Sequence, residues 1–252
     1  MSPFDSHKEI PLQEIIARCD ELFNAGKGAE TGEFLRQWRQ QAQIYGDERG
    51  ELSLLNELIG HYRMNCDPLR GKEAVNSALG LIKKSGLSET LSAGTILLNA
   101  ATALQSFGET EEALILYKES RRIYEKNLPA GDKRFAGLFN NMAAAYVEKR
   151  EFKAAESCYL DALALLQENK DLMDSAVTCL NLAQLYRSWN NDTELIAAMI
   201  GCAMEYFDSP QSLRDGYYAH TCCKCASGFG ALGREDIEKE LKSRAEKIYA
   251  GH

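Results

Sequence analysis

No apolar run in this 252-residue sequence approaches the roughly 20 residues that a membrane-spanning helix needs. No stretch shows sustained period-two alternation bounded by hairpin turn residues, so no sheet is expected. Positive charge is in deficit: 29 Lys and Arg stand against 37 Asp and Glu, a net charge of −8. That balance argues against nucleic-acid binding through a broad basic face, and mildly favours basic or neutral partners. Catalytic signatures are missing too, with no G-x-S-x-G, P-loop, H-E-x-x-H or glycine-rich dinucleotide turn, so neither an enzyme nor a cofactor is expected. Nor does a helix-turn-helix with a basic recognition helix open the chain. The stretch Met1-Ser-Pro-Phe-Asp-Ser-His-Lys8 lacks a signal peptide's apolar segment, which predicts a cytoplasmic protein. Its eight cysteines are then expected as reduced thiols, mostly small apolar core residues. With five prolines, 45% apolar and 26% charged residues, the balance is globular, and the length suffices for a sizeable core or a stack of repeats.

What the chain does have is self-similarity. In Phe139-Asn-Asn-Met-Ala-Ala-Ala-Tyr146, continued by Phe152-Lys-Ala-Ala155 and Tyr159-Leu-Asp-Ala162, small residues alternate with large ones at helical spacing. The pattern breaks at Lys149-Arg-Glu151 and resumes, as two antiparallel helices in close contact would. The small residue near the start of the second helix recurs 42 residues apart, at Gly71, Ala113 and Ala155. The large residue closing the first helix recurs at Tyr62, Leu104, Tyr146, Tyr186 and Phe229, at spacings of 42, 42, 40 and 43.

Apolar periodicity and turn residues predict helices over 11–25, 32–45, 51–64, 69–84, 91–107, 110–127, 132–149, 152–167, 172–189, 193–207, 213–232 and 235–250. Asp132 is the expected N-cap of the seventh. The sequence therefore predicts one all-α domain over 1–252, a right-handed α-solenoid of about six antiparallel helix pairs, with divergent terminal repeats at 9–48 and 211–252. In the last repeat Glu238 replaces the small residue, as suits a capping helix with no successor; Leu195 is a second departure.

At these residues the chain resembles the tetratricopeptide repeat, in the long-period form of kinesin light chains. Leu97-Leu-Asn-Ala-Ala-Thr-Ala-Leu104 and Cys179-Leu-Asn-Leu-Ala-Gln-Leu-Tyr186 repeat the first half of the motif, and the resemblance runs from Leu52 to Phe207. It implies a scaffold for protein or peptide partners, whose first helices line a concave face. There it places Asn56, Asn99, Asn140, Asn141 and Asn181, with Lys224 in the last repeat and Gln184, Arg187 and Gln105 about one turn further along. An asparagine offers a donor pair and an acceptor on a short arm, suited to gripping an extended peptide by its backbone. The competing reading has these amides tie neighbouring helices together. The Lys and Arg pairs with which some such domains hold a C-terminal carboxylate are replaced by Asn56, Thr95, Leu98 and Val177. Arg63, Arg187 and Lys224 are the cations left for an acidic group. Two other readings stand beside the groove: a homo-oligomer formed through a terminal repeat, and a thiol or metal site at His220, Cys222 and Cys225. No second C-x-x-C completes four ligands, so core thiols and no bound metal are expected.

Overall fold

The structure, a computed structural model, describes residues 8–251. The stretch Met1–His7, read above for its lack of an apolar segment, lies outside the described residues, as does His252. Twelve α-helices and no strands occur among the described residues. The chain falls into two compact units divided between Leu128 and Pro129, each of three antiparallel pairs formed by helices adjacent in sequence.

The first unit contains α1 (Leu12–Asn24), α2 (Gly28–Tyr45), α3 (Glu48–Met64), α4 (Pro68–Lys84), α5 (Leu91–Ser106) and α6 (Thr110–Asn127). The second contains α7 (Arg134–Glu148), α8 (Phe152–Glu168), α9 (Leu172–Trp189), α10 (Thr193–Asp208), α11 (Gly216–Ala231) and α12 (Glu235–Ala250). None of these helices is long and apolar enough to cross a membrane.

One device closes every first helix. A residue in the left-handed region follows it, at Gly26, Cys66, Gly108, Arg150, Asn191 and Gly233. The chain then turns back to donate an N–H to the carbonyl five residues earlier, at Leu22, Tyr62, Leu104, Tyr146, Tyr186 and Phe229, over 2.8–2.9 Å. Five of these six acceptors are the large-residue column of the sequence, so the repeat register is also the hydrogen-bond register of the turns. Side-chain caps open four of the first helices, at Asp47, Thr90, Asp171 and Asp215, and two of the second helices, at Asp67 and Asp192.

The small-residue column sits where neighbouring elements touch. Ala113 and Ala155 are fully buried. At Gly71 the Phe107 ring occupies the place of a side chain: a Cβ there would lie 2.5 Å from Phe107 Cζ. Leu195, the large residue in this column, is partly exposed, and Glu238 lies over Gly230 of α11, which leaves room for its carboxylate.

Four helix starts differ from the sequence expectation by two residues or more. The second helix begins at Gly28 rather than 32, because the break needs only the left-handed Gly26, and Gly32 inside the helix lets the His61 ring approach. The third begins at Glu48 because Asp47 accepts from Gly50 N, 2.8 Å away, and so caps it. The eleventh begins at Gly216, capped by Asp215 through Tyr218 N at 3.0 Å, which leaves Leu213 in an exposed loop. The seventh begins at Arg134 rather than 132, with Lys133 and not Asp132 in the N-cap position; Asp132 accepts from Arg134 N at 3.0 Å in the turn just ahead of it.

Candidate functional site

In the first unit, α1, α3 and α5 are the first members of their pairs, and together they line a cleft of about 340 Å³. Its walls are Leu12 and Ile16 of α1, Ser53, Asn56 and Glu57 of α3, and Ser92, Thr95 and Ile96 of α5. Thr95 is held by Tyr124, whose hydroxyl lies 3.1 Å from Thr95 Oγ1 while its ring is buried behind α5. The close approach of α6 to α5 that places it depends on Gly94, over which the Tyr124 ring lies, and on buried Ser120, which donates to Gly94 O at 2.7 Å.

Two of the sequence-predicted asparagines meet at this cleft. Asn99 Nδ2 donates to Asn56 Oδ1 at 2.8 Å, bridging α5 and α3, and Asn56 Nδ2 lies 3.4 Å from Glu57 Oε1. Both amides are half-buried. Gln105 faces elsewhere, accepting from the buried Tyr117 hydroxyl at 2.9 Å and so tying α5 to α6.

The second unit holds the remaining candidates on α7, α9 and α11. Asn140 Nδ2 donates to Thr178 Oγ1 at 3.0 Å, joining α7 to α9. Asn141 is half-buried on the same helix. Asn181 and Gln184 are half-buried on α9, and the Gln184 amide lies over Gly228 of α11. Arg187 and Lys224 are exposed. Arg63, the other cation weighed for an acidic group, is exposed at the end of α3.

Glu57 is the residue that the motif search passed over. Burial raises its carboxyl above the ordinary value; the Asn56 amide pulls the other way and the Asp20 charge on α1 adds to the rise. The signal for it lies in the columns. Counting five residues back from Tyr62, Leu104, Tyr146, Tyr186 and Phe229 gives Glu57, Asn99, Asn141, Asn181 and Lys224. The last four are polar and half-buried or exposed, and none of them is acidic. An acid has been placed in a position that four other repeats fill with an amide or a lysine.

The cysteine cluster is divided. Cys222 and Cys225 are buried in α11, and burial pushes their thiols up to about 11 and about 12, while His220 and Cys223 face solvent. Among the described residues no three His, Cys, Asp or Glu side chains come together in a way that holds a metal ion.

Residues 94–131 match the tetratricopeptide-repeat family model. No curated protein matches the chain in sequence. Among solved structures, BtubC (BKLC) from P. vanneervenii is similar at 18% identity and a TM-score of 0.58, over 96% of this chain and 92% of that one. The nearly identical TPR-like repeats of a putative kinesin light chain from Podosopora anserina match at 18% identity and a TM-score of 0.60, over 79% of this chain and 95% of that one. The apo form of RapI matches at 11% identity and a TM-score of 0.67, over 98% and 86%. Residues 94–131 thus carry a tetratricopeptide repeat, and the helix pairs on either side of them have the long-period, kinesin light chain-like fold of these structures.

Proposed function

We propose that this chain is a protein-binding scaffold that holds an extended segment of a partner against its first helices, gripping the segment's backbone with side-chain amides. The observation that carries this reading is the cleft between α1, α3 and α5. It is contributed by all three first helices of its unit, it is walled by apolar and hydroxyl side chains, and the Asn56 and Asn99 amides meet at it. Such a surface offers donors, acceptors and small apolar pockets side by side, which is what an extended chain presents in return. Asn141, Asn181, Gln184, Arg187 and Lys224 offer the same class of contact on α7, α9 and α11 in the second unit. Binding, rather than catalysis, is the function these side chains suit.

A random-peptide library displayed on phage and selected on the full chain tests this. Selected peptides are expected to lose roughly tenfold or more in affinity for the Asn56→Ala/Asn99→Ala double variant. Because those amides bond each other, removing both leaves neither amide orphaned, only the long contact to Glu57 is lost besides, and helicity should hold. Undiminished binding would refute the amide grip.

A further inference from the structure

We infer that the cleft of the first unit recognises a basic side chain, a lysine or arginine carried by the bound segment, with Glu57 as its counter-ion. This rests on the binding reading above and names the chemistry of the partner at one position.

Glu57 is the one charged residue among those that wall the cleft. The side chains around it are Leu12, Ile16 and Ile96, the hydroxyls of Ser53, Ser92 and Thr95, and the Asn56 amide. No cation is paired with it among the described residues, although ion pairs are plentiful elsewhere: Arg39 with Glu51 on the neighbouring faces of α2 and α3, Lys72 with Glu109, and Arg122 with Glu89. The other titratable groups that bear on it are Asp20 and Cys19 on α1. Asp20 makes the site more negative, and the Cys19 thiol, itself raised by burial, supplies no positive charge.

The hydrogen-bonding capacity of the carboxylate is mostly unspent. Two oxygens offer about four lone-pair sites, and only the 3.4 Å approach of Asn56 Nδ2 engages any of them. The amide chain from Asn99 through Asn56 runs toward the carboxylate and orients it. A half-buried acid without a partner costs stability, and the same column carries an amide or a lysine in four other repeats. What offsets that cost is a ligand that brings the missing charge. An ammonium or guanidinium fits on three counts: its sign, its donors, and the aliphatic stem that Leu12, Ile16 and Ile96 can cover. The net charge of −8 draws such a segment toward the protein but does not choose a position on it. Glu57 does.

The test uses peptides from the phage selection above, made synthetically, with binding measured by fluorescence anisotropy. Selected sequences should share a Lys or Arg at one fixed position. Changing that residue to Gln, or Glu57→Gln in the protein, should each weaken binding at least about tenfold, and the two together should cost little more than either alone. Glu73→Gln, which removes an exposed acid of α4, should leave binding unchanged and separates a specific pair from general attraction. Selected peptides with no shared basic position, or full binding to the Glu57→Gln protein, would overturn the inference while leaving the amide grip standing. A selection that enriches no peptide would overturn both. Loss of binding through unfolding is distinguishable, because Glu57→Gln removes an unpaired charge and should melt no lower than the parent.

Discussion

Two glycines of one helix should answer the same substitution with opposite signs. Gly71 and Gly80 both lie inside α4. Replacing an exposed helical glycine by alanine gains about 0.4–1 kcal/mol, chiefly because the unfolded chain has less freedom to lose. At Gly80 nothing lies within 4 Å of the new Cβ, so the gain should appear in full. At Gly71 the Cβ would lie 2.5 Å from Phe107 Cζ and 3.5 Å from Tyr62 Cβ. Carbon atoms settle at about 3.5–4.0 Å, so the ring must retreat by roughly 1 Å. Overpacking of that kind costs about 1–3 kcal/mol, which exceeds the propensity gain. Gly71→Ala should therefore lower stability by roughly 1–2 kcal/mol while Gly80→Ala raises it, read from urea midpoints followed by far-ultraviolet circular dichroism. In a Phe107→Ala background, Gly71→Ala should change sign and behave like Gly80→Ala. A stabilising Gly71→Ala in the parent chain would refute the claim that this column is small because the adjoining helix end needs the space.

The remaining predictions concern charge, thiols and cooperativity. Burial raises the Glu57 carboxyl above its ordinary value, so its charged form destabilises the fold. The cost is absent below the unfolded value of 4.5, grows as the pH climbs above it and is complete above the folded value, so Glu57→Gln should melt higher than the parent at pH 7, by a margin that shrinks as the pH falls toward 4.5. A margin independent of pH would show that the charge is not its source. Exposed Cys66 and Cys223 should react with a maleimide in the native protein, while buried Cys179, Cys222 and Cys225 should react only on unfolding, as peptide mapping would report. Native labelling of Cys225 as fast as Cys223 would reopen a reactive-thiol role for the cluster. The two tryptophans, Trp38 and Trp189, stand one in each unit. If the chain behaves as the single domain its sequence predicts, Trp38→Phe and Trp189→Phe variants should show the same unfolding midpoint by fluorescence. Separate midpoints would make the units independent.

The fold was legible because the repeat spacing reports contacts that each copy makes in the same way. Tyr62, Leu104, Tyr146, Tyr186 and Phe229 align in sequence since their carbonyls accept the same turn bond. Gly71, Ala113 and Ala155 align since each sits against a neighbouring element. Helix starts were less legible, because Asp47 and Asp215 cap through their own side chains and thereby override the glycines and prolines by which boundaries were drawn. The amides mark the limit of column reasoning. Asn99 bonds Asn56, which stands one place ahead of its column, and Asn140 finds Thr178 rather than an asparagine, because which amide reaches a partner depends on the separation of successive first helices, which no single sequence states. Glu57 escaped for a different reason. A motif search asks what the repeats share, and this residue matters for what its repeat alone has: a carboxylate where the others carry Asn99, Asn141, Asn181 and Lys224. In a repeat protein the shared columns encode the scaffold. An acidic departure from a shared polar column, carried without a counter-ion and facing a cleft, is therefore the place to look for a ligand, and the position where a loss of stability and a gain in recognition should be found in the same side chain.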